Sequence, residues 1–380
     1  MKQANSPLRV LILGTGGMAR VHAESFKKIP GVEVVAGVDM RADALDVFCD
    51  THGIEHRFTS LEAAIEWGEF DAASNVTPDS VHYATTLTLL AAGKHVLCEK
   101  PLSTDFGRAS EMADAARAAG VVNMVNLSYR NFAATQKAAE MIRAGALGPI
   151  RHFEANYLQS WLTQSKWGDW RTEPKWLWRL SKRHGSKGVL GDVGIHIIDF
   201  ATYIAESLPI EVSSRLKTFS KAPGDRIDEY DLDANDSFVM HAELANGAIG
   251  TVTATRFASG HHNDLTLRIH GDLGGMEVAL VKDKGYLRVC LGEDMLTEEW
   301  RDVPLDPVLN MYERFAAACM GKGSMEPDFG RGAALQRILD LAEDSSVAGG
   351  LSLKVGDQAL AMDGDAVAPA AAEPYSVQTG

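Results

Sequence analysis

The chain has 380 residues, is 46% apolar and carries a formal net charge of −14. Such an acidic surface excludes a general binder of nucleic acid or of anionic membranes, because either role needs a basic face. The four cysteines, Cys49, Cys98, Cys290 and Cys319, fall at no zinc-like or disulfide-like spacing, so no metal site and no disulfide scaffold is expected.

The length is too great for one ordinary core and predicts two domains. Scattered thiols suit a reducing cytoplasm, the opening MKQANSPLRV has no leader pattern, and no apolar run approaches the roughly 18 residues of a membrane span. In chain order, Leu8–Leu13 reads as a buried strand and 18–29 as a helix stopped at Pro30-Gly31. Val32–Val38 is a second strand, Leu61–Trp67 a helix, and 70–76 a strand ended by Thr77-Pro78. A helix over 80–92, the strand His95–Cys98, a helix over 105–119 and a strand over 121–127 continue the rhythm. Alternation of this kind predicts a doubly wound parallel sheet covered on both faces.

After about residue 145 the pattern changes. Apolar residues alternate over 150–161 and 211–219, and strands at 238–244 and 249–256 flank Asn246-Gly247, a hairpin signal. Leu265, Leu267 and Ile269, then 276–281 and 286–291, extend an antiparallel meander. Helices follow at 308–319 and 332–348. The expected organisation is a dinucleotide-binding domain over 1–128, a substrate-binding and oligomerisation domain over 129–356, and a mobile tail or exchanged arm over 357–380. A sheet apolar on one face needs a cover, so a dimer or tetramer is expected.

GTGGMA, residues 14–19, joins the first strand to the first helix. Gly14 permits a tight turn, Gly16 lets the backbone approach a pyrophosphate at a helix N-terminus, and Ala19 allows close helix–strand packing. Gly17 and Met18 belong to the same cradle. Asp39 ends the second strand, where a carboxylate accepts ribose hydroxyls and repels a 2′-phosphate. NAD is therefore favoured, while the neighbouring Arg41, beyond Met40, leaves NADP open. The bland alternative is a glycine turn beside an exposed Asp.

Two further stretches carry chemistry. HVLCEKPLST places Glu99, Lys100 and Pro101 at the carboxyl end of a parallel strand, where ligands bind. Lys100 then faces the crevice, although a surface Lys–Glu pair is the simpler reading of the tripeptide. GVLGDVGIHIIDF places Asp192 and His196 at i, i+4, which share a helix face. A carboxylate beside an imidazole orients it and stabilises its charged form. The alternative is a satisfied core histidine.

Taken in order, the glycine turn, Asn75-Val-Thr-Pro-Asp79 with His82, Glu99-Lys100-Pro101 and Asp192-Val-Gly-Ile-His196 resemble the Gfo/Idh/MocA oxidoreductases over residues 8–355. The resemblance implies a Rossmann domain followed by a C-terminal α/β domain with an open, largely antiparallel sheet. It implies that Lys100, Asp192 and His196 are the catalytic group. Thr77, Pro78, His82 and Glu99 would line the nicotinamide side, with Asn75, Pro101 and Asn126 completing the cofactor set. It also implies a cis Lys100–Pro101 bond. Tyr129-Arg130-Asn131 matches a position that faces substrate in the family. Lys187 stands where the family's second motif has a glycine, a departure that touches the approach loop.

Five tryptophans, Trp161, Trp167, Trp170, Trp176 and Trp178, fall just before the Asp192 element, interleaved with Lys166, Arg171 and Arg179 and following Tyr157. Aromatic faces with polar neighbours suit a sugar or cyclitol, and packing at an interface explains them as well. Arg179, Lys182, Arg183 and Lys187 form a basic cluster, either for an anionic sugar or as a solvated loop. His261-His262 beside Asp264 does not make a metal site, because adjacent strand residues point to opposite faces. The function expected is an NAD-dependent dehydrogenase acting on a secondary alcohol of a sugar, sugar derivative or cyclitol. A glycosidase that cycles the hydride internally is the alternative, and a non-enzymatic NAD-linked sensor is disfavoured by the presence of Lys100, Asp192 and His196.

Overall fold

A computed structural model describes residues 6–362. The N-terminal half alternates β1 (Leu8–Leu13), α1 (Gly17–Lys27), β2 (Val32–Val38), α2 (Ala42–His52), β3 (His56–Phe58), α3 (Leu61–Trp67), β4 (Ala72–Asn75), α4 (Asp79–Ala91), β5 (His95–Cys98), α5 (Phe106–Ala119) and β6 (Asn123–Val125). The strands form one six-stranded sheet in the order β3-β2-β1-β4-β5-β6, and every pairing is parallel. Helices cover both faces, so Val10, Leu11 and Ile12 of β1 are all fully buried. The order reverses between β1 and β4, which opens a crevice at their carboxyl ends.

The second half contains α6 (Ala133–Arg143), β7 (Ile150–Gln159), α7 (Pro174–Leu177), α8 (Ile195–Ile204), β8 (Pro209–Lys217), β9 (Arg226–Ile227), β10 (Tyr230–Asp231), β11 (Ser237–Leu244), β12 (Ile249–Thr255), β13 (Asn263–Gly271), β14 (Gly274–Val281) and β15 (Lys284–Leu291). It closes with α9 (Asp294–Thr297), β16 (Arg301–Asp302), α10 (Met311–Cys319), α11 (Phe329–Val347), β17 (Leu353–Lys354) and α12 (Asp357–Met362). Nine of these strands make one sheet, ordered β16-β15-β14-β13-β7-β12-β11-β8-β17. Only β7 and β12 pair in parallel within it. Alternation decides its faces: Phe238, Met240, Ala242 and Leu244 of β11 point into the core, while Val239, His241 and Glu243 point outward. The expected hairpin joins β11 to β12.

Several elements depart from the sequence reading. α2 went unassigned because its buried stripe (Leu45, Phe48, Cys49, His52) is diluted by Asp43, Asp46 and Asp50. α6 was hidden by alanines, which carry little hydrophobic contrast. α10 lies in the second half of the chain, yet Met311, Tyr312 and Phe315 pack with Val10, Ile12 and Phe26 in the first sheet's core. The expected mobile tail begins with the helix α12, where Ala359 and Met362 are buried. The remainder of that tail lies outside the described residues. Trp161, Trp170, Leu177, Leu180 and Leu232 form a small separate core, so packing accounts for those two tryptophans.

Candidate active site

The cradle follows from backbone geometry. Gly14 has φ +94°, and a Cβ there would sit 2.8 Å from the Val76 carbonyl oxygen, so only glycine fits. Side chains added at Gly16 or Gly17 would meet no neighbour within 4 Å, which leaves the N-terminus of α1 open to an anion. Met18 and Met40 are exposed at the rim. Asp39 accepts from Thr15 N (2.9 Å) and Thr15 Oγ1 (2.7 Å). Arg41 folds back on the same carboxylate through Nε and Nη2, each at 3.2 Å. Burial pushes the Asp39 carboxyl up, and the bonds from Arg41 and Thr15 hold it far below the ordinary range. The carboxylate is thus ionised and directed at the crevice, as ribose recognition requires.

The predicted nicotinamide side sorts into linings and supports. Asn75 Oδ1 accepts from Thr77 Oγ1 (2.7 Å), and its amide donates to Thr85 and Thr86, so it shapes the turn that carries Thr77 and Pro78. His82 is a support as well. It is fully buried, with Nδ1 2.9 Å from the Pro101 carbonyl and Nε2 2.8 Å from the Thr77 carbonyl. Carbonyls only accept, so both nitrogens donate and the ring is a cation. Burial opposes that charge, but Cys98, Asp79 and the Pro101 carbonyl hold the pKa up at about 10.

Glu99 lies at the mouth of β5. Its Oε1 accepts from His22 Nε2 (2.8 Å) and Asn126 Nδ2 (2.6 Å), and its Oε2 accepts from Lys100 N (3.2 Å). Burial pushes this carboxyl up, but His22 and Lys100 bring it down to about 2. Asn126 is 2% exposed, and its Oδ1 has no hydrogen-bond partner among the described residues. An orphaned acceptor at the carboxyl end of β6 fits the carboxamide donor of a nicotinamide. The open helix N-terminus, the ionised Asp39 and this acceptor are together what NAD needs.

Lys100 precedes a cis bond to Pro101. Its Nζ donates to the Asp192 carbonyl oxygen at 2.8 Å and stands 3.8 Å from Asp192 Oδ1. The two predicted catalytic segments therefore meet. The expected Asp192–His196 couple does not form. Residues 190–194 wind as a π-helix, whose i→i+5 bonds add roughly one residue to the turn and break the α-helical i, i+4 alignment. Asp192 turns instead to Arg179 Nη1 (2.9 Å) and Arg256 Nη2 (3.0 Å). Burial raises its carboxyl, and Arg179, Lys100 and Arg256 hold it well below the usual range. His196 is 8% exposed, and its Nδ1 has no partner among the described residues. Burial, then the Lys100 charge, bring its pKa down to about 3, so the imidazole is neutral near pH 7.

Tyr129 meets the His196 ring edge-on, with centroids 4.9 Å apart. Its hydroxyl bonds to that of Tyr157, and both reach Asn263, at 3.0 and 2.8 Å. Trp161 lies 2% exposed beneath the Arg256 guanidinium, 4.9 Å from ring centroid to carbon, and acts through that arginine. Trp167 is half-buried against His262. Arg130, expected to face substrate, is instead 1% exposed and grips Asp199 at 2.8 and 3.0 Å. Of the basic cluster, only Arg179 turns to Asp192, while Lys182, Arg183 and Lys187 are exposed. The sequence reading missed three residues that the structure brings to the site: His22, Asn263 and Arg256. A charge closing the alternating strand 249–256 was the available signal for Arg256. A histidine three residues past Ala19, on the buried face of α1, was the signal for His22.

The description "Oxidoreductase family, NAD-binding Rossmann fold" matches residues 8–127, and "GFO/IDH/MocA C-terminal domain" matches residues 135–277. The 1,5-anhydro-D-fructose reductase of Ensifer adhaerens is 30% identical over 318 residues, 81% of this chain and 85% of its own. The chain belongs to the Gfo/Idh/MocA family. Levoglucosan dehydrogenase of Pseudarthrobacter phenanthrenivorans is another relative, 28% identical over 315 residues, 76% of this chain and 77% of its own. A levoglucosan dehydrogenase solved with NADH and levoglucosan superposes with a TM-score of 0.80 at 25% identity, covering 92% of this chain and 100% of that one. This Gfo/Idh/MocA protein is an oxidoreductase with an NAD-binding Rossmann domain, and its relatives include proteins named as sugar and cyclitol dehydrogenases.

Proposed function

We propose that the protein oxidises a secondary alcohol on a sugar, sugar derivative or cyclitol ring, with residues 1–128 holding NAD and 129–356 the substrate. The observation that carries this reading is the meeting of Lys100 with the Asp192 segment, beside a buried imidazole that makes no hydrogen bond through Nδ1 among the described residues. When bound, NAD supplies the hydride acceptor. Lys100 donates to the alcohol oxygen and stabilises the charge that develops as the C–H bond breaks. The neutral His196 accepts the hydroxyl proton. Asp192 holds the ammonium in place, and Arg179 and Arg256 fix that carboxylate. Tyr129, Tyr157 and Asn263 supply hydroxyl and amide groups for the remaining ring hydroxyls, with one aromatic face to exclude water.

The test is incubation with NAD and a panel of polyols, anhydrosugars, glycosides and sugar phosphates, following reduced nicotinamide and product masses together. Stoichiometric NADH with a ketone product supports the reading. Sugar release without NADH would instead mark an internal redox cycle. On the outward face of the nine-stranded sheet, Val239 and Ile249 are 47% and 58% exposed, and we read that face as a contact between copies of the chain in the cytoplasm.

A further inference from the structure

His22 belongs to no motif used above, yet it is the centre of a connected buried polar group at the strand ends. It sits on α1, the helix whose N-terminus forms the phosphate cradle, and is 0% exposed. Its Nδ1 lies 2.7 Å from Ser74 Oγ at the end of β4, and its Nε2 lies 2.8 Å from Glu99 Oε1 at the end of β5. Asn126 at the end of β6 donates to the same carboxylate oxygen, and to the Tyr312 hydroxyl at 3.3 Å. Tyr312 meets the His22 ring edge-on at 4.9 Å. One ring thus ties the cradle helix to three strand ends and to α10.

We infer that His22 is a positioning residue: it fixes the angle and the charge of Glu99, and through Glu99 sets both the Asn126 acceptor and the backbone of Lys100. The inference uses the NAD-binding assignment of the crevice and does not depend on which alcohol is oxidised. The chain of contacts is short. With Glu99 Oε1 held by His22, Asn126 spends its amide on that oxygen, and its own Oδ1 is left unpartnered. Glu99 Oε2 is then free to accept from the Lys100 amide. A buried carboxylate that loses one of its donors is drawn toward its protonated form, and a carboxylic acid cannot accept all of these bonds.

The groups facing Glu99 set the expected pH response. They are His22 from α1, Lys100 beside it in sequence, Asn126 from β6 and Tyr312 from α10, with His196 of α8 near enough to feel its charge. Removing His22 leaves burial opposed by Lys100 and Asn126 alone, so the carboxyl moves up toward neutrality. NADH affinity then becomes pH-dependent, weakening as the pH falls.

The test is NADH fluorescence titration of the full chain between about pH 6 and about pH 9, a range above the ordinary carboxylate pKa. The wild-type dissociation constant should be flat across it. His22→Ala should weaken NADH by roughly tenfold at the acid end and much less at the alkaline end, a difference of about 1.4 kcal/mol per tenfold. His22→Gln, whose amide nitrogen reproduces the Nε2 donor, should restore most of the affinity and flatten the profile. Ser74→Ala, a milder change, should show the same slope at smaller amplitude and decides the matter if His22→Ala does not fold. A folded His22→Ala protein that binds NADH within twofold of wild type throughout overturns the inference. So does equal loss in His22→Ala and His22→Gln with no pH slope, since that marks mere packing. A wild-type protein that binds no NADH overturns the cofactor assignment itself, and the inference falls with it.

Discussion

In the proposed reaction Lys100 and His196 divide the work because their surroundings differ. The ammonium is surrounded by acceptors, the Asp192 carbonyl and carboxylate, whereas the imidazole is buried beside a cation with one nitrogen unused. Lys100→Ala should lower turnover by about 10²–10⁴-fold, the usual contribution of a positioned proton-transfer group, with NADH affinity within a few-fold of wild type. Steady-state kinetics and NADH titration check both halves. Asp39→Ala should weaken NADH and narrow its advantage over NADPH, read from paired dissociation constants. Loss of the carboxylate also frees Arg41 to meet a 2′-phosphate. Strand-end position singled out Lys100 and spacing singled out Asp192 with His196, while the family resemblance grouped the three; the structure brings Lys100 to Asp192. The partner of Asp192 was not legible, because the i, i+4 rule assumes an α-helix and residues 190–194 are not one.

At the scale of elements, the crevice depends on one turn with little tolerance and on one buried ionic cluster. Gly14→Ala brings a Cβ against the Val76 carbonyl in a region of φ that L side chains avoid. That variant should lose measurable NADH binding while keeping its secondary structure by circular dichroism, since β1 and α1 on either side pack independently of the turn. The second support is the cluster that locks α8 to the loop after β6 and to α11. Asp199, 2% exposed, accepts from Arg130 and from Arg331 Nε at 3.0 Å. Asp199→Ala removes the buried carboxylate that Arg130 and Arg331 share and should cost about 3–5 kcal/mol by denaturant unfolding. The Tyr-Arg-Asn stretch at 129–131 looked like a single substrate-facing unit. The structure splits it: Tyr129 faces the His196 ring, Arg130 enters this cluster, and Asn131 Oδ1 accepts from the first amide of α10. Short-range pattern cannot tell which way each side chain of a tight turn points.

For the whole molecule, the βα rhythm of the first 127 residues and the hairpin signals of the second half were enough to give the class of each sheet, but not the short strands β3, β16 and β17 or the parallel β7–β12 pairing. Periodicity of 2 or 3.6 is a local property, and both sheets are built from local units. What escaped was long-range: α10 returning to the first core, and Arg256 reaching Asp192 across 64 residues. The buried titratable groups also give the molecule an acid limit. His196 is neutral when folded, with its pKa brought down to about 3, below its unfolded value. Its contribution to stability is therefore full above the unfolded pKa and is lost as the pH falls toward the folded one. Glu99, down at about 2, behaves the same way over a lower window. Unfolding free energy should decline from about pH 6.5 downward, and His196→Gln should flatten the upper part of that decline in pH-resolved denaturant titrations.

The most direct test of the central claim, that Lys100 and a neutral His196 act on one alcohol oxygen beside bound NAD, is single-turnover reduction of NAD by a substrate found in the panel. Wild type, Lys100→Ala and His196→Gln should be compared, each saturated with cofactor. The account predicts normal cofactor saturation in all three and a hydride-transfer step slowed by about 10²-fold or more in each variant. A variant of either residue that reduces NAD at the wild-type rate would contradict it.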